Sequence, residues 1–317
     1  MEFISQYGLF LLKTATLVIA VLVLLAGIFN LRKKNQEKLC IDSLSKEYTD
    51  MQEKMNKEIH EQKAISRKQK KKQVESEKGK PCLYVLDFHG DLKASQADSL
   101  RNSISAVLSV AREKDEVLIR LESPGGLVNS YGLAASQLQR IRDKNIPITV
   151  CIDKVAASGG YLMACVANTI VAAPFAIIGS IGVIAQLPNF HRWLKKHNID
   201  IEMITAGEYK RTLTMFGENT EKGRKKFQEE LESIHKSFRD YVLTNRQDLN
   251  IDEVATGEHW LASDAYNLKL IDKLQTSDDC IIEKMKTFKV WKINTVTPQS
   301  LTEKLLKPAT RIMHPWA

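Results

Sequence analysis

Apolar residues divide the chain into regions of different character, beginning with a nearly continuous apolar run. Residues 14–31 contain almost no polar side chain, and a short apolar stretch precedes Lys13. Together they reach about the 20 residues that the hydrocarbon core of a bilayer requires. A cleaved signal peptide is the competing interpretation, but the positive charges follow the run and no small-residue cleavage motif ends it. We predict an uncleaved, single-pass transmembrane anchor over residues 1–31.

The second region, residues 32–80, is charged. Apolar residues recur there at three- and four-residue steps, which predicts a helical stalk, either isolated or paired as a short coiled coil: Ile41, Leu44, Tyr48, Met51 and Met55. Residues 66–81 are basic and polar without periodicity, as in a solvated linker. Of the net charge of +8, +6 lies in residues 31–80. A nucleic-acid-binding face would lie on the folded domain instead, so we predict no nucleic-acid partner.

The third region, residues 81–298, alternates strand-like and helix-like segments. "CLYVLDF", "EVLIRLE" and "IPITVCID" have the composition of buried strands, and amphipathic helical patterns separate them. Such alternation predicts βαβ units, an α/β fold and a largely parallel sheet. Further strands are expected at 168–174, 182–188 and 199–206, and a long charged helix at 221–244 is expected outside the core. Residues 299–317 are predicted to be a tail.

The apolar stretch 169–188 could also be considered as a second membrane span. It contains Pro174, glycines and many β-branched residues, which favour two short buried strands over a membrane helix.

Turns rich in small residues follow several of the predicted strands. They are Ser123-Pro124-Gly125-Gly126, Ser158-Gly159-Gly160 and Gly179-Ser180-Ile181-Gly182. Ligands bind at the carboxyl ends of parallel strands, so these turns can converge on one cleft, where glycine N–H groups would stabilise an oxyanion. Two simpler interpretations remain open. The first motif could be an ordinary β-turn containing Ser123, and Ser158 could be a helix N-cap.

A serine nucleophile requires a base. Five of the seven histidines lie in the stalk, the tail or helices predicted to be charged or on the surface, and His89 and His259 have no acidic partner at a suggestive spacing, which weakens a Ser-His-Asp triad. A lysine whose pKa is lowered by burial is the alternative, although composition alone does not identify it. HExxH and Walker A motifs are absent, and the five cysteines show no paired spacing. We therefore expect buried free thiols, no disulfides, no zinc site and no cofactor.

The stretch from "LESPGG" through "AASGGY" and "GSIGV" to "LPNF", residues 121–190, resembles the signal peptide peptidase A family of membrane serine proteases. The similarity extends to "YVLDF", "AGEYKR" and "ATGEHW", and so covers most of the chain. It implies a ClpP/crotonase-like superhelix of ββα units and peptide hydrolysis by a Ser-Lys dyad. By matching motifs it implies Ser158 as nucleophile, Lys210 as general base, Ser180 as the residue orienting the lysine, and an oxyanion hole formed by Gly125, Gly126 and Gly159.

The resemblance also implies peptide or protein substrates, a homo-oligomer and a place in the bacterial inner membrane. The basic residues after the anchor would put the catalytic domain in the cytoplasm by the positive-inside rule, whereas the family suggests the periplasm. We favour the periplasm. A crotonase-like acyl-CoA enzyme and a non-catalytic membrane scaffold remain the alternative functions.

Overall fold

The computed structural model describes residues 6, 8, 10–19, 21, 38–60 and 79–296. The chain divides into two compact units, Met1–Leu39 with Thr295–Ala317, and Cys40–Asn294. Residues 10–19 of the first unit are helical. The second unit contains the sheets and the candidate site.

The strands are, in chain order, β1 (Lys38–Ser43), β2 (Cys82–His89), β3 (Glu116–Glu122), β4 (Ile148–Ile152), β5 (Val155–Ala157), β6 (Thr169–Ala172), β7 (Ile177–Gly179), β8 (His259–Leu261), β9 (Lys273–Leu274) and β10 (Lys289–Val296). The main sheet has the order β1-β10-β2-β3-β4-β6-β9. From β10 to β9 each neighbouring pair is parallel. All residues of β4 are buried, as expected of a parallel strand covered on both faces. The predicted α/β class with a largely parallel sheet is confirmed.

The helices are α1 (Leu44–His60), α2 (Ala97–Val110), α3 (Val128–Arg142), α4 (Gly159–Ala164), α5 (His191–Lys196), α6 (Glu221–Asn245), α7 (Ile251–Val254), α8 (Ala262–Asn267) and α9 (Ser277–Met285). α2 buries Leu100, Ile104 and Val107, which lie on one helical face and pack into the core. The predicted helices between the strands are therefore present.

A second sheet of three strands, in the order β5-β7-β8, positions the candidate site. β5 and β7 are parallel, and β8 is antiparallel to β7. Ser123, immediately after β3, forms a parallel bridge with Ala156 in β5. This bridge connects the end of a main-sheet strand to the small sheet.

Two predicted strands are absent. Residues 182–188 and 199–206 have no regular secondary structure, although both contain apolar residues. Ile184 and Ile204 are 88% and 95% exposed. An apolar pattern forms a strand only where another strand supplies hydrogen bonds and a covering face, and neither segment has such a partner.

The predicted stalk also differs from the structure. Ile41 lies in strand β1, so the apolar series does not continue along a single helix. Leu44, at the start of α1, is buried with Leu83, Val85 and Val290, and the Ser45 hydroxyl accepts the Val290 N–H at 2.9 Å. The beginning of this region thus belongs to the compact unit Cys40–Asn294, because Leu44 packs against buried residues of β2 and β10.

No helix within the described ranges is long and apolar enough to cross a membrane. Much of the predicted anchor, most of the predicted linker (residues 66–78) and the predicted tail lie outside the described residues.

Candidate active site

The small-residue turns meet at one end of the small sheet. Ser123 donates its N–H to the Val155 carbonyl at 2.8 Å and accepts the Ala157 N–H at 3.0 Å. Ala157 lies opposite Gly179 in the β5–β7 register. The Ser158 N–H then donates to the Gly179 carbonyl at 2.8 Å. Main-chain hydrogen bonds thereby place the residues after β3, β5 and β7 side by side.

Ser158 has a backbone conformation that residues with a side chain rarely adopt. Its φ is 52° and its ψ is −118°, and it directly precedes α4. A conformation of this kind costs on the order of 1–3 kcal/mol and persists only where the surroundings enforce it. Ser158 occupies the N-cap position, but its side chain makes no capping hydrogen bond. The hydroxyl is therefore not used to hold the helix, and the N-cap interpretation does not explain this serine.

The turn Gly125–Gly126 approaches Ser158 closely. Gly125 has φ of 90°, and a Cβ there would lie 2.7 Å from the Ser158 Cβ, so a side chain would displace the turn. The Gly125 N–H donates to Ser123 Oγ at 3.1 Å. Within the described part of the chain, neither the Gly126 N–H nor the Gly159 N–H meets an acceptor. Gly126, Ser158 and Gly159 all line the same cavity.

A cavity of about 490 Å³ opens beside Ser158. Its walls come from α3, α4, α6 and the segment after β7, and its apolar lining includes Val128, Ala135, Leu162, Val183, Ile184, Ile234, Phe238 and Tyr241. Burial raises the pKa of Tyr241 to about 12, so its phenol stays neutral at neutral pH. The cavity therefore offers an apolar side chain a place next to the serine hydroxyl.

Ser180 follows the Gly179 carbonyl that holds Ser158. It has φ of 53°, and its N–H donates to the Glu258 carbonyl at 2.6 Å. The structure thus brings Ser180 into the group of turns that contains Ser158.

Lys210 lies elsewhere. It is exposed and does not line the cavity. The two residues before Lys210 contact the first turns of α6. Glu208 forms an ion pair with Lys222 at 2.6 Å, and the Lys226 Nζ lies 5.3 Å from the centre of the Tyr209 ring. Lys222 and Ile234 are twelve residues apart on α6, about 18 Å along the helix axis. The structure does not bring Lys210 to Ser158 of the same chain.

The described histidines lie outside the walls of the cavity. His235 contacts the site from α6, where its Nε2 lies 3.2 Å from the Ile181 carbonyl oxygen. A carbonyl only accepts, so Nε2 donates, and the contact joins α6 to the turn after β7.

Two parts of the site were not anticipated from the sequence. α6 was expected outside the core, yet it forms a wall of the cavity. The spacing of Ile234, Phe238 and Tyr241 by four and three residues is the signal that could have revealed its apolar face. The second unanticipated part is Tyr131, which is fully buried beneath the site. No local sequence pattern distinguishes this tyrosine from an ordinary core residue.

Sequence models of known families match nearly the whole chain. Peptidase family S49 matches residues 140–291, and the peptidase family S49 N-terminal model matches residues 2–138. "Probable protease SohB" of Haemophilus influenzae is 48% identical over 97% of this chain and 93% of its own. "Probable protease SohB" of Buchnera aphidicola subsp. Schlechtendalia chinensis is 48% identical over 90% of this chain and all of its own.

Among solved structures, a mutant of the 1510-N membrane-bound stomatin-specific protease with a substrate peptide aligns with a TM-score of 0.46. It is 18% identical and covers 73% of this chain and 99% of that one.

The family matches define a serine protease, and the α/β fold agrees with them. The chain belongs to peptidase family S49 and is of the SohB type. The family inferred from the sequence motifs is therefore confirmed.

Proposed function

We propose that this protein is a membrane-anchored endopeptidase that cleaves peptides or unfolded segments through an acyl-enzyme on Ser158. The observation that carries the proposal is the strained Ser158, whose hydroxyl makes no capping hydrogen bond to the helix. Ser158 also lies beside the N–H groups of Gly126 and Gly159, which meet no acceptor among the described residues. Attack on a peptide carbonyl would place the developing oxyanion within reach of these donors.

The Lys210 amine would act as the base, as the family motif "AGEYKR" implies. It would take the Ser158 proton as Oγ attacks the carbonyl carbon, and give that proton to the leaving amine when the C–N bond breaks. The same amine would then deprotonate the water that hydrolyses the acyl-enzyme. Ser180, in the turn beside Ser158, would orient the amine.

Within a homo-oligomer, Lys210 of a neighbouring copy would complete each site. Two observations support this arrangement. Lys210 lies beside the start of α6, away from the turns that line the cavity of its own chain. The segment 183–216 also exposes many large apolar side chains, among them Ile184, Leu187, Phe190, Trp193, Ile201 and Ile204. Contact between copies would cover this surface and remove water from the lysine.

The membrane attachment is proposed from the apolar run before residue 31, with the catalytic domain on the periplasmic side of a bacterial inner membrane. A protease in this position would encounter peptides and unfolded segments at the membrane surface.

Covalent labelling tests the nucleophile. A fluorophosphonate probe should label the full-length protein on Ser158, and Ser158→Ala should abolish both labelling and peptide hydrolysis while the melting temperature stays close to that of the native protein. Ser136→Ala is the matched control, because Ser136 lines the same cavity from α3 and should retain labelling. Hydrolysis that survives Ser158→Ala would overturn the proposal, and acyl-CoA turnover without labelling would favour a crotonase-like enzyme.

A further inference from the structure

A chain of hydrogen bonds runs beneath the glycine turn. Ser123 Oγ lies 2.6 Å from Tyr131 Oη, and Tyr131 Oη lies 2.8 Å from the Asp91 carbonyl oxygen. The Gly125 N–H donates to Ser123 Oγ at 3.1 Å. The Asp91 carbonyl can only accept, so the single Tyr131 proton goes to it, and the Ser123 hydroxyl must donate to Tyr131 Oη. Every proton in the chain therefore has an assigned acceptor.

This chain is fully removed from water. Ser123 and Tyr131 are both 0% exposed. Burial raises the pKa of Tyr131 above its usual value, so the phenol keeps its proton at neutral pH. A satisfied hydrogen-bond chain at low dielectric is rigid, whereas loss of one member leaves a buried polar group unpaired.

Tyr131 also supports the other half of the oxyanion hole. A Cβ on Gly159 would lie 2.4 Å from Tyr131 Cγ, so the tyrosine ring lies directly against the Gly159 backbone. A Cβ on Gly160 would lie 2.6 Å from the Ser123 carbonyl oxygen. The Ser123–Tyr131 pair thus contacts both backbone segments that carry the unbonded N–H groups.

We infer that Ser123 and Tyr131 are positioning residues that set the angle and spacing between the Gly126 and Gly159 N–H groups. The inference rests on the proposed acyl-transfer function at Ser158. Ser123 is then more than the turn residue that the sequence suggested. Neither hydroxyl donates to the oxyanion itself; both act through the backbone, where a misplacement of about 1 Å can cost 10²-fold in rate.

The test removes one hydroxyl at a time from the full-length protein. Tyr131→Phe and Ser123→Ala should each lower kcat by about tenfold to a hundredfold, with KM changed by less than about twofold, since the donors matter most in the transition state. Affinity for a peptide boronate, which forms a tetrahedral adduct with Ser158, should fall by the same factor as kcat. Peptide binding in the Ser158→Ala background should stay unchanged. The double variant should be no slower than the slower single variant, because both changes break one chain.

Tyr161→Phe is the matched control. Tyr161 is also fully buried, and its hydroxyl donates to the Leu270 carbonyl at 2.9 Å, so Tyr161→Phe removes the same kind of bond without breaking the Ser123–Tyr131 chain. It should lower the melting temperature as much as Tyr131→Phe without lowering kcat. If Tyr131→Phe does not fold, Ser123→Ala decides the question.

Native kcat and boronate affinity in Ser123→Ala or Tyr131→Phe would overturn the inference while leaving Ser158 as the nucleophile. Failure of Ser158 labelling would instead overturn the proposed function.

Discussion

Glycine in the middle of a helix destabilises that helix by roughly 1 kcal/mol relative to alanine. Gly132 occupies such a position in α3, and a Cβ added there would meet no atom within 4 Å. No steric conflict therefore requires glycine. Gly132 lines the cavity beside Ser158, so the absence of a side chain leaves space within that cavity.

Substitution at this position should change both stability and specificity. We expect Gly132→Ala to raise the melting temperature, because alanine is the better helix former. Gly132→Leu should lower kcat/KM at least about tenfold for peptides with a large apolar residue at the cleaved carbonyl, because the leucine would occupy pocket volume and each methylene that a pocket cannot accept costs about 1–3 kcal/mol of transition-state binding. Hydrolysis of a matched alanine peptide should fall less. A peptide series assayed with each variant measures both effects.

Asn129→Leu is the control for this prediction, because Asn129 is exposed on the same helix and does not line the cavity. An unchanged side-chain preference in Gly132→Leu would show that the cavity does not select the substrate.

Strands β10, β2 and β3 are joined by one carboxylate. Asp87 in β2 lies directly opposite Arg120 in β3, with Oδ1 2.6 Å from Arg120 Nε, and Lys292 in β10 lies 3.0 Å from its other oxygen. Burial raises the pKa of Asp87 and the two cations lower it; the cations prevail, and the pKa lies below its usual value of 3.8. The ionised form is thus favoured in the folded chain.

The pH dependence of stability follows from the sign of that shift. The folded pKa of Asp87 is lower than its unfolded pKa. The ionised Asp87 carboxylate therefore makes its full contribution to the free energy of unfolding above about pH 4, and this contribution disappears as the pH falls through the folded pKa. Asp87→Asn should lower the free energy of unfolding by about 2 kcal/mol at neutral pH, since it leaves two cations without their partner. Urea unfolding at neutral pH and at successively lower pH measures the difference, which should shrink on acidification.

Asp98→Asn is the comparison, because the exposed Asp98–Arg101 pair on α2 should contribute less than about 1 kcal/mol. If the difference in the free energy of unfolding between the native protein and Asp87→Asn stays constant into strongly acid conditions, the ion-pair explanation is wrong.

At the scale of the whole molecule, Lys210 is exposed in a single chain, and the proposed function has it reach Ser158 of a neighbouring copy. Ser158→Ala and Lys210→Ala should each be inactive alone. Subunits of the two variants assembled together should regain about a quarter of native activity, because one site in four would draw an intact serine and an intact lysine from adjacent copies. Peptide hydrolysis by the reassembled mixture measures this recovery.

Mixing Ser158→Ala with the Ser158→Ala/Lys210→Ala double variant supplies no intact serine and should stay inactive. Should the first mixture also remain inactive while forming mixed oligomers, Lys210 would have to act within its own chain. Activity in Lys210→Ala alone would exclude this lysine as the base.

Local sequence was sufficient for the elements whose structure depends on residues close in the chain. β2, β3 and β4 were predicted from continuous apolar runs, because a strand buried on both faces needs apolar residues at successive positions. α2 and α3 were predicted from apolar residues at three- and four-residue steps, because these steps place them on one face of a helix. The positions of the small-residue turns were also predictable, since parallel strands carry their ends to one edge. Long motifs identified the family.

Other features were decided by contacts between residues distant in the chain. The alternating segment 199–206 has no partner strand and is irregular. Ile41, which was predicted in the stalk helix, instead lies in β1, which neighbours β10 in the main sheet. A serine before two glycines has the same local pattern whether its hydroxyl caps a helix or faces a cavity; the pairing of Ser123 with β5 and the Gly179 carbonyl impose the conformation seen at Ser158. Tyr131 gains its position from Asp91, forty residues earlier, and from Gly159, which follows two strands later. Hydrogen bonds and packing of this kind depend on three-dimensional proximity, which sequence spacing alone does not encode.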